Sequence, residues 1–322
     1  MRARKLLGAA AVAVVLLGAS SALAREELKS QNPWRDTSID YGHVFSATSL
    51  SKKAEPTYNP YYAQQLVITP VWHLWDDYLV AKVRLAMEQE LTNSDDTTYQ
   101  NQVMLSDLQV DLGTSGVTEG FTGIKISGGV RFYLPTSLAA RATTMYLAVG
   151  PGLALSRKIP ILQGLTIGYS GRFNFAFHKF TSMQNDATSI ACGAYDGPSC
   201  GQFVQTGLRN AWGQLVHGPR ITLGIIEGLT FDVSFTWIKS YLYPLAATDY
   251  APDRQSGFQR QAQAFEGSLS YDATDFLSIG LGFSSLYGDL APDGKWRMPF
   301  NRLTQISLGI SVAIDPIVSK FQ

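Results

Sequence analysis

The stretch TGIKISGGVRFYL, residues 122–134, decides the fold. In it Thr122, Ile124, Ile126, Val130 and Phe132 alternate with Lys125, Ser127, Gly129, Arg131 and Tyr133. Successive side chains of a β-strand point to opposite faces, so a period of two makes this segment a strand with one apolar and one polar face. A soluble sandwich would alternate in the same way. Here, however, the pattern returns in segments of about ten residues separated by turns, from Tyr62 almost to the end, and the alternate set is Gly, Ser, Thr and charged residues throughout. Apolar side chains outside and polar ones inside, repeated around the whole chain, describe an all-β transmembrane barrel. Such a chain must close on itself because hydrocarbon offers its backbone no hydrogen bonds.

Working outward from residues 122–134, the alternation predicts strands over 39–50, 62–74, 78–91, 102–112, 121–134, 145–157, 165–180, 212–226, 229–242, 258–271, 276–287 and 302–314. That is an antiparallel, up-and-down barrel of about 12 strands. The first strand is the least regular, since Tyr41, Val44 and Phe45 interrupt its alternation. The connections supply a second reading. Residues 75–77, 113–120, 158–164, 227–228 and 272–275 form a short set, and 51–61, 92–101, 135–144, 181–211, 243–257 and 288–301 a long one. Short and long alternate, as periplasmic turns and extracellular loops do. With both termini on the short-turn side, parity requires a strand before Tyr62.

The N-terminus predicts export. Arg2, Arg4 and Lys5 precede an apolar run over 6–17, and Ala22, Leu23 and Ala24 form an A-x-A site, so residues 1–24 read as a signal peptide cleaved after Ala24. Residues 25–38 then form a periplasmic extension, 39–314 the barrel and 315–322 a periplasmic end. Composition shows no linker between two compositions, and barrels of this length form single units. A mean hydropathy near zero excludes a helical membrane protein. Once the leader is removed the chain is slightly acidic, with no basic block for nucleic acid.

Parity also assigns faces. Leu79, Val83, Leu85 and Met87, then Leu147, Val149, Leu153 and Leu155, and Ile306, Leu308, Ile310 and Val312 fall on the lipid side. The pore-lining set carries Lys82, Arg84, Lys125, Arg131, Arg172, Arg220 and Arg260, and Glu88, Glu90, Asp107, Asp111, Asp232 and Glu266. An Arg or Lys facing lipid at mid-height costs roughly 2–4 kcal/mol, which explains why these charges keep to one parity. Glycines on the same side, Gly123, Gly129, Gly150, Gly152, Gly168, Gly280, Gly282 and Gly309, leave the interior thinly filled. Twelve strands lie between about eight, which side chains just fill, and about sixteen, which leave an open channel. A narrow polar passage and an interior closed by ion pairs both remain open.

In leader, parity, turn lengths and strand pattern the chain resembles the bacterial outer-membrane β-barrel proteins over its mature length. The resemblance implies a Gram-negative outer membrane, contact with its lipids, insertion by a barrel-assembly machinery, and passage of small polar solutes. It also implies a C-terminal strand ending in an aromatic residue. Here Asp315 and Pro316 break the last strand and Phe321 is penultimate.

Enzyme chemistry finds little purchase. There are four histidines, His43, His73, His178 and His217, and the lipid-modifying barrels suggest only His178 with Asn174 and Ser182 as a comparison. No H-x-H, H-E-x-x-H or Cys/His cluster exists, so no metal or other cofactor is expected. Cys192 and Cys200 lie in the longest connection among glycines, and in an oxidising compartment they predict a disulfide, within either a lid or a rigid tip. Aromatics such as Trp72, Trp75, Tyr78, Trp212 and Trp237 fall near strand ends, as interfacial belts do. The expectation is a passive channel for small polar solutes, with a structural or adhesive barrel of closed lumen as the alternative. The sequence leaves the oligomeric state open.

Overall fold

The computed structural model describes residues 33–47, 61–75, 78–92, 101–186, 203–244, 259–287, 300 and 304–319. The predicted signal peptide, the cysteine pair Cys192 and Cys200, and Phe321 lie outside them.

Twelve strands cross the wall. They are β1 (Ser38–Ser46), β2 (Tyr62–Thr69) continued by β3 (Val71–Leu74), β4 (Leu79–Glu90), and β5 (Val103–Leu105) continued by β6 (Leu108–Thr114). The two-residue β7 (Val117–Thr118) folds onto β8 (Ile124–Leu134), followed by β9 (Met145–Ile159) and β10 (Leu165–His178). A separate hairpin, β11 (Ser182–Asp186) with β12 (Phe203–Arg209), rises between β10 and β13 (Ala211–Ile226). The wall is completed by β14 (Leu229–Leu242), β15 (Gln259–Asp272), β16 (Leu277–Tyr287) and β17 (Thr304–Ala313). Every neighbouring pair is antiparallel, and β1 pairs with both β2 and β17, from Ser38↔Ala313 to Ser46↔Gln305, so the ring is closed. Among the described residues two short helices lie off the wall, α1 (Leu138–Ala142) and α2 (Asp315–Val318). Pro316 stands in the first turn of α2, which ends the β17 ladder where the sequence predicts a break. No helix among the described residues is long and apolar enough to cross a membrane.

The strand faces follow the alternation. On β9, Ala148 and Gly150 are buried and point inward, while Leu153 and Leu155 are 67% and 46% exposed on the outside. Leu281, Leu308 and Ile310 repeat this apolar outer surface on β16 and β17. Two local departures have physical causes. Pro70 carries no N–H and interrupts the ladder between β2 and β3, yet the register with β4 is unchanged, Ile68↔Leu85 and Val71↔Lys82. Between β5 and β6 the register on β4 shifts by one, Met87↔Leu105 against Arg84↔Gln109, and a one-residue bulge reverses which parity faces inward. Asp107 sits in that bulge. Gly123, assigned by parity to the lumen, stands instead in the turn before β8 with φ of 67°.

Several polar groups on the outer face are paired with one another. Tyr62 Oη lies 3.0 Å from His43 Nδ1 and Tyr169 Oη lies 2.7 Å from His217 Nδ1. Tyr41 Oη donates to Gln64 Oε1 at 3.0 Å. These partners remove the cost of facing hydrocarbon with an unmade hydrogen bond. Around them, Phe173, Trp212 and Tyr241 contact ring to ring, as do Phe235 and Trp237, and Phe265 and Phe283, forming an aromatic band toward the long-loop end.

At the short-turn end the two-residue connection at Gly228 is made possible by its φ of 75°, which a side chain would resist. The turn into β8 is held by Glu119, whose carboxylate accepts Thr122 Oγ1 and the backbone N–H groups of Phe121 and Thr122. These bonds, the Thr122 hydroxyl first, hold the Glu119 carboxyl below its ordinary value of 4.5. A lowered carboxyl contributes order above the ordinary value and loses it as pH falls through the lower, folded one. The protection of the Phe121 and Thr122 amides, taken as observed exchange against the intrinsic rate at each pH, is therefore expected to be high at neutral pH and to fall on acidification below 4.5. In Glu119→Gln the acid-dependent step should disappear; an unchanged step would mean another group holds the turn.

Candidate functional site: the lumen

Cross-strand register brings the inward charges into rows. Lys82 on β4 stands opposite Asp111 on β6, and Asp111 opposite Arg131 on β8. Arg131 donates twice to Asp111, Nε to Oδ1 at 2.5 Å and Nη2 to Oδ2 at 2.9 Å, the bidentate arrangement that fixes a guanidinium best. Across the barrel Arg220 Nε donates to Asp232 Oδ2 at 2.7 Å, and Thr222 Oγ1 donates to the same oxygen at 2.5 Å. Arg84 lies within electrostatic reach of Asp111 and Asp40 on its own side and of Glu266 on β15. Ser234 Oγ donates to Glu266 at 3.4 Å. Side chains from separate walls thus share one field at the lower part of the lumen.

The other predicted lining residues occupy the ends. Lys125 is exposed, near the short-turn end of β8. Glu88 is buried beside Gln65, whose Nε2 is 3.5 Å from Oε2, and the buried Glu90 accepts from Thr92 Oγ1. Arg260 is exposed at the opposite end of the barrel from Lys125, where its Nη2 donates to Arg209 O at 3.0 Å. Asp107 sits in the bulge, two residues beyond Gln109 on the same parity as Asp111, at the long-loop end of the row. There its Oδ1 accepts Ser137 N at 3.1 Å, beside the N-cap of α1.

Filling is uneven. From Asp40 onward the inward residues of β1 and β2, Asp40, Gly42, Val44, Ser46, Ala63, Gln65, Val67 and Thr69, are buried, and Ser38 is half-buried. On the far wall Gly129 and Ser170 are exposed and Ser127, Gly152, Ala154 and Val216 are only part-covered. The free space is therefore eccentric, a recess of about 320 Å³ whose lining includes Asp111, Arg131, Gly152, Ser170 and Arg172. Arg172 reaches it by lying across β9 toward β8, where Nη1 meets Tyr133 Oη at 3.4 Å. Gly150 makes that path possible: a Cβ there would stand 2.7 Å from Arg172 Cδ and closer still to Asn174 Oδ1.

At the rim, His178 Nδ1 lies 2.8 Å from Thr143 O and Nε2 lies 3.1 Å from Ala211 O. Both ring nitrogens are engaged by backbone, and the ring ties the loop after α1 to the start of β13. Asn210 Nδ2 adds bonds to Thr143 O and Phe180 O, each 2.7 Å. The comparison of His178, Asn174 and Ser182 with a catalytic set finds no support in this arrangement, since Asn174 Nδ2 donates to Gln214 Oε1 and not to the histidine.

Asp40 is the lumen residue that parity alone overlooks. It is fully buried, with Ser38 Oγ donating to Oδ2 at 3.2 Å. The signal was present in Ile39, Tyr41, His43 and Phe45, which share the outer face, and was obscured by Val44, an apolar residue packed inward against Tyr61 and Ala63.

No protein-family model matches the chain, and no curated protein matches it in sequence. Among solved structures, an outer-membrane channel from Pseudomonas putida F1 is similar in fold at a TM-score of 0.50 and 10% identity, covering 89% of this chain and 100% of that one. The NanC porin is similar at 0.44 and 13% identity over 86% and 98% of the two chains, and the KdgM porin at 0.43 and 9% over 85% and 98%. At such identities the likeness is one of fold: a closed antiparallel barrel of the kind outer-membrane channels use.

The packing of Arg172 over β9 gives a direct check. Gly150→Ala should displace Arg172 and Asn174 and lower barrel stability by about 1–3 kcal/mol, the usual cost of overpacking. Heat-modifiable migration measures this. Gly280→Ala, where a Cβ meets nothing within 4 Å, should leave stability near the parent's. Equal losses would show that the β9 path is not a close contact.

Proposed function

We propose that this chain is an outer-membrane protein of Gram-negative type that passes small polar solutes passively through its lumen. The observation that carries the reading is the combination of an apolar outer face with an interior recess lined by Asp111, Arg131 and Arg172. An interior serving only to hold the wall together would have no need of free space beside charged groups. In this reading Lys82, Arg84, Arg131, Arg172 and Arg220 face Asp40, Asp111, Asp232 and Glu266 and set a transverse field that small polar solutes cross. Glu88, Glu90, Lys125 and Arg260 line the approaches. Residues 1–24 serve as a cleaved signal peptide, Cys192 and Cys200 pair as a disulfide, and insertion proceeds through a barrel-assembly machinery into lipid.

A second reading, a structural barrel with a closed lumen, draws support from the inner faces of β1 and β2, buried from Asp40 onward. We read the chain as no enzyme, on the ground that His178 has both nitrogens on backbone carbonyls. Planar bilayers separate the readings. The folded full chain is expected to give discrete conductance steps, with solutes larger than the recess failing to reduce the current. Folded protein without steps would favour the structural reading. Lipid turnover abolished by His178→Ala would overturn the non-enzyme reading.

A further inference from the structure

The lumen's guanidinium groups are not equivalent. Arg131 is held bidentately by Asp111, and Arg220 is held by Asp232. Arg172 has no carboxylate against it among the described residues; its hydrogen bond runs to the neutral hydroxyl of Tyr133 at the long distance of 3.4 Å. It borders the open recess, on the side opposite the inner faces of β1 and β2, which are buried from Asp40 onward. The place is also built. Gly150 and Gly152 keep β9 bare beneath the Arg172 side chain, and a Cβ at Gly152 would stand 3.3 Å from Arg172 Cβ. Asn174, only 8% exposed, leans over Gly150 with its Oδ1 buried and without a hydrogen-bond partner. A half-exposed guanidinium bordering free space, with no carboxylate holding its donors, can exchange water for the oxygens of a passing solute. A planar guanidinium matches a two-oxygen anion through two parallel N–H···O bonds.

We propose that the recess is an oxyanion site in which Arg172 takes the carboxylate or phosphate group of a small solute. Lys82 and Arg84 are not among the residues that line the recess, and Arg131 there is held by Asp111, so the guanidinium offered to a solute in it is that of Arg172. Asn174 and Gly150 act as positioning residues that keep the guanidinium extended across β9. The recess admits the anionic head and a short polar body. This rests on the channel reading and names the solute class that such a channel favours.

The test uses the full chain, refolded and checked by heat-modifiable migration, in planar bilayers under a potassium chloride gradient. The reversal potential should show preference for chloride, and succinate or inorganic phosphate added on one side should reduce the chloride current. Arg172→Gln should reduce the preference and weaken this block by about tenfold or more, the scale of a lost charge-assisted fork. Arg172→Lys keeps the charge without the fork, so it should retain chloride preference while weakening the block several-fold; it also serves if the glutamine variant does not fold. Block by succinate alone assigns carboxylates, by phosphate alone phosphates, and by both the shared oxyanion chemistry. Steady conductance with cation preference, or block unchanged in both variants, overturns the oxyanion site and leaves the channel standing. Absence of conductance in correctly folded protein overturns both.

Discussion

The structure depends on one constraint: a backbone surrounded by hydrocarbon must spend every N–H and C=O on itself. A sheet meets that demand only by having no edge, and the pairing of β1 with β17 removes the last one. Closure then fixes everything that follows. With the ring complete, each strand presents one row of side chains to lipid and the other to the interior, and the register decides which residues meet across it. The outer face obeys the same accounting, since its few polar groups, His43 with Tyr62 and His217 with Tyr169, are paired.

Inside, the same geometry concentrates charge. Registers that set Lys82 against Asp111 and Asp111 against Arg131 produce a row in which each carboxylate has a cation beside it. Such rows stiffen the wall and polarise the space between them. The interior is not filled evenly: β1 and β2 are covered from Asp40 onward, while the wall from β8 to β13 is open around Gly129, Gly152 and Ser170. The free volume is displaced toward the side where Arg172 crosses β9, so electrostatics and access coincide at one place.

Much of the architecture is legible in the sequence because strand periodicity is imposed by solvent on both faces. The segment 229–242 is predicted with the bounds that β14 has, and most others agree to within a residue or two. The departures are local. Pro70 divides one predicted strand without moving its register, and the bulge at Ser106 and Asp107 reverses the parity of β5 against β6, with Asp107 accepting Ser137 N beside it. Asp40 was hidden by inward-packed Val44. Which charges are neutralised was beyond reach, because pairing depends on register between strands distant in sequence. Nothing in the residues around Arg131 and Arg172 announces that one meets Asp111 and the other a phenol. His178 likewise reads as a lone polar residue until Thr143 O and Ala211 O are placed on either side of it.

The central claim is that odd and even positions of one strand meet different solvents. Spin labels placed singly from position 147 to 156 along β9, in protein reconstituted into lipid vesicles, test it most directly. Collision rates with oxygen should peak at Leu147, Val149, Leu153 and Leu155, and those with a water-soluble nickel complex at Ala148, Ala154 and Ser156, in antiphase. Equal accessibility along the strand, or the two profiles in phase, would contradict the account.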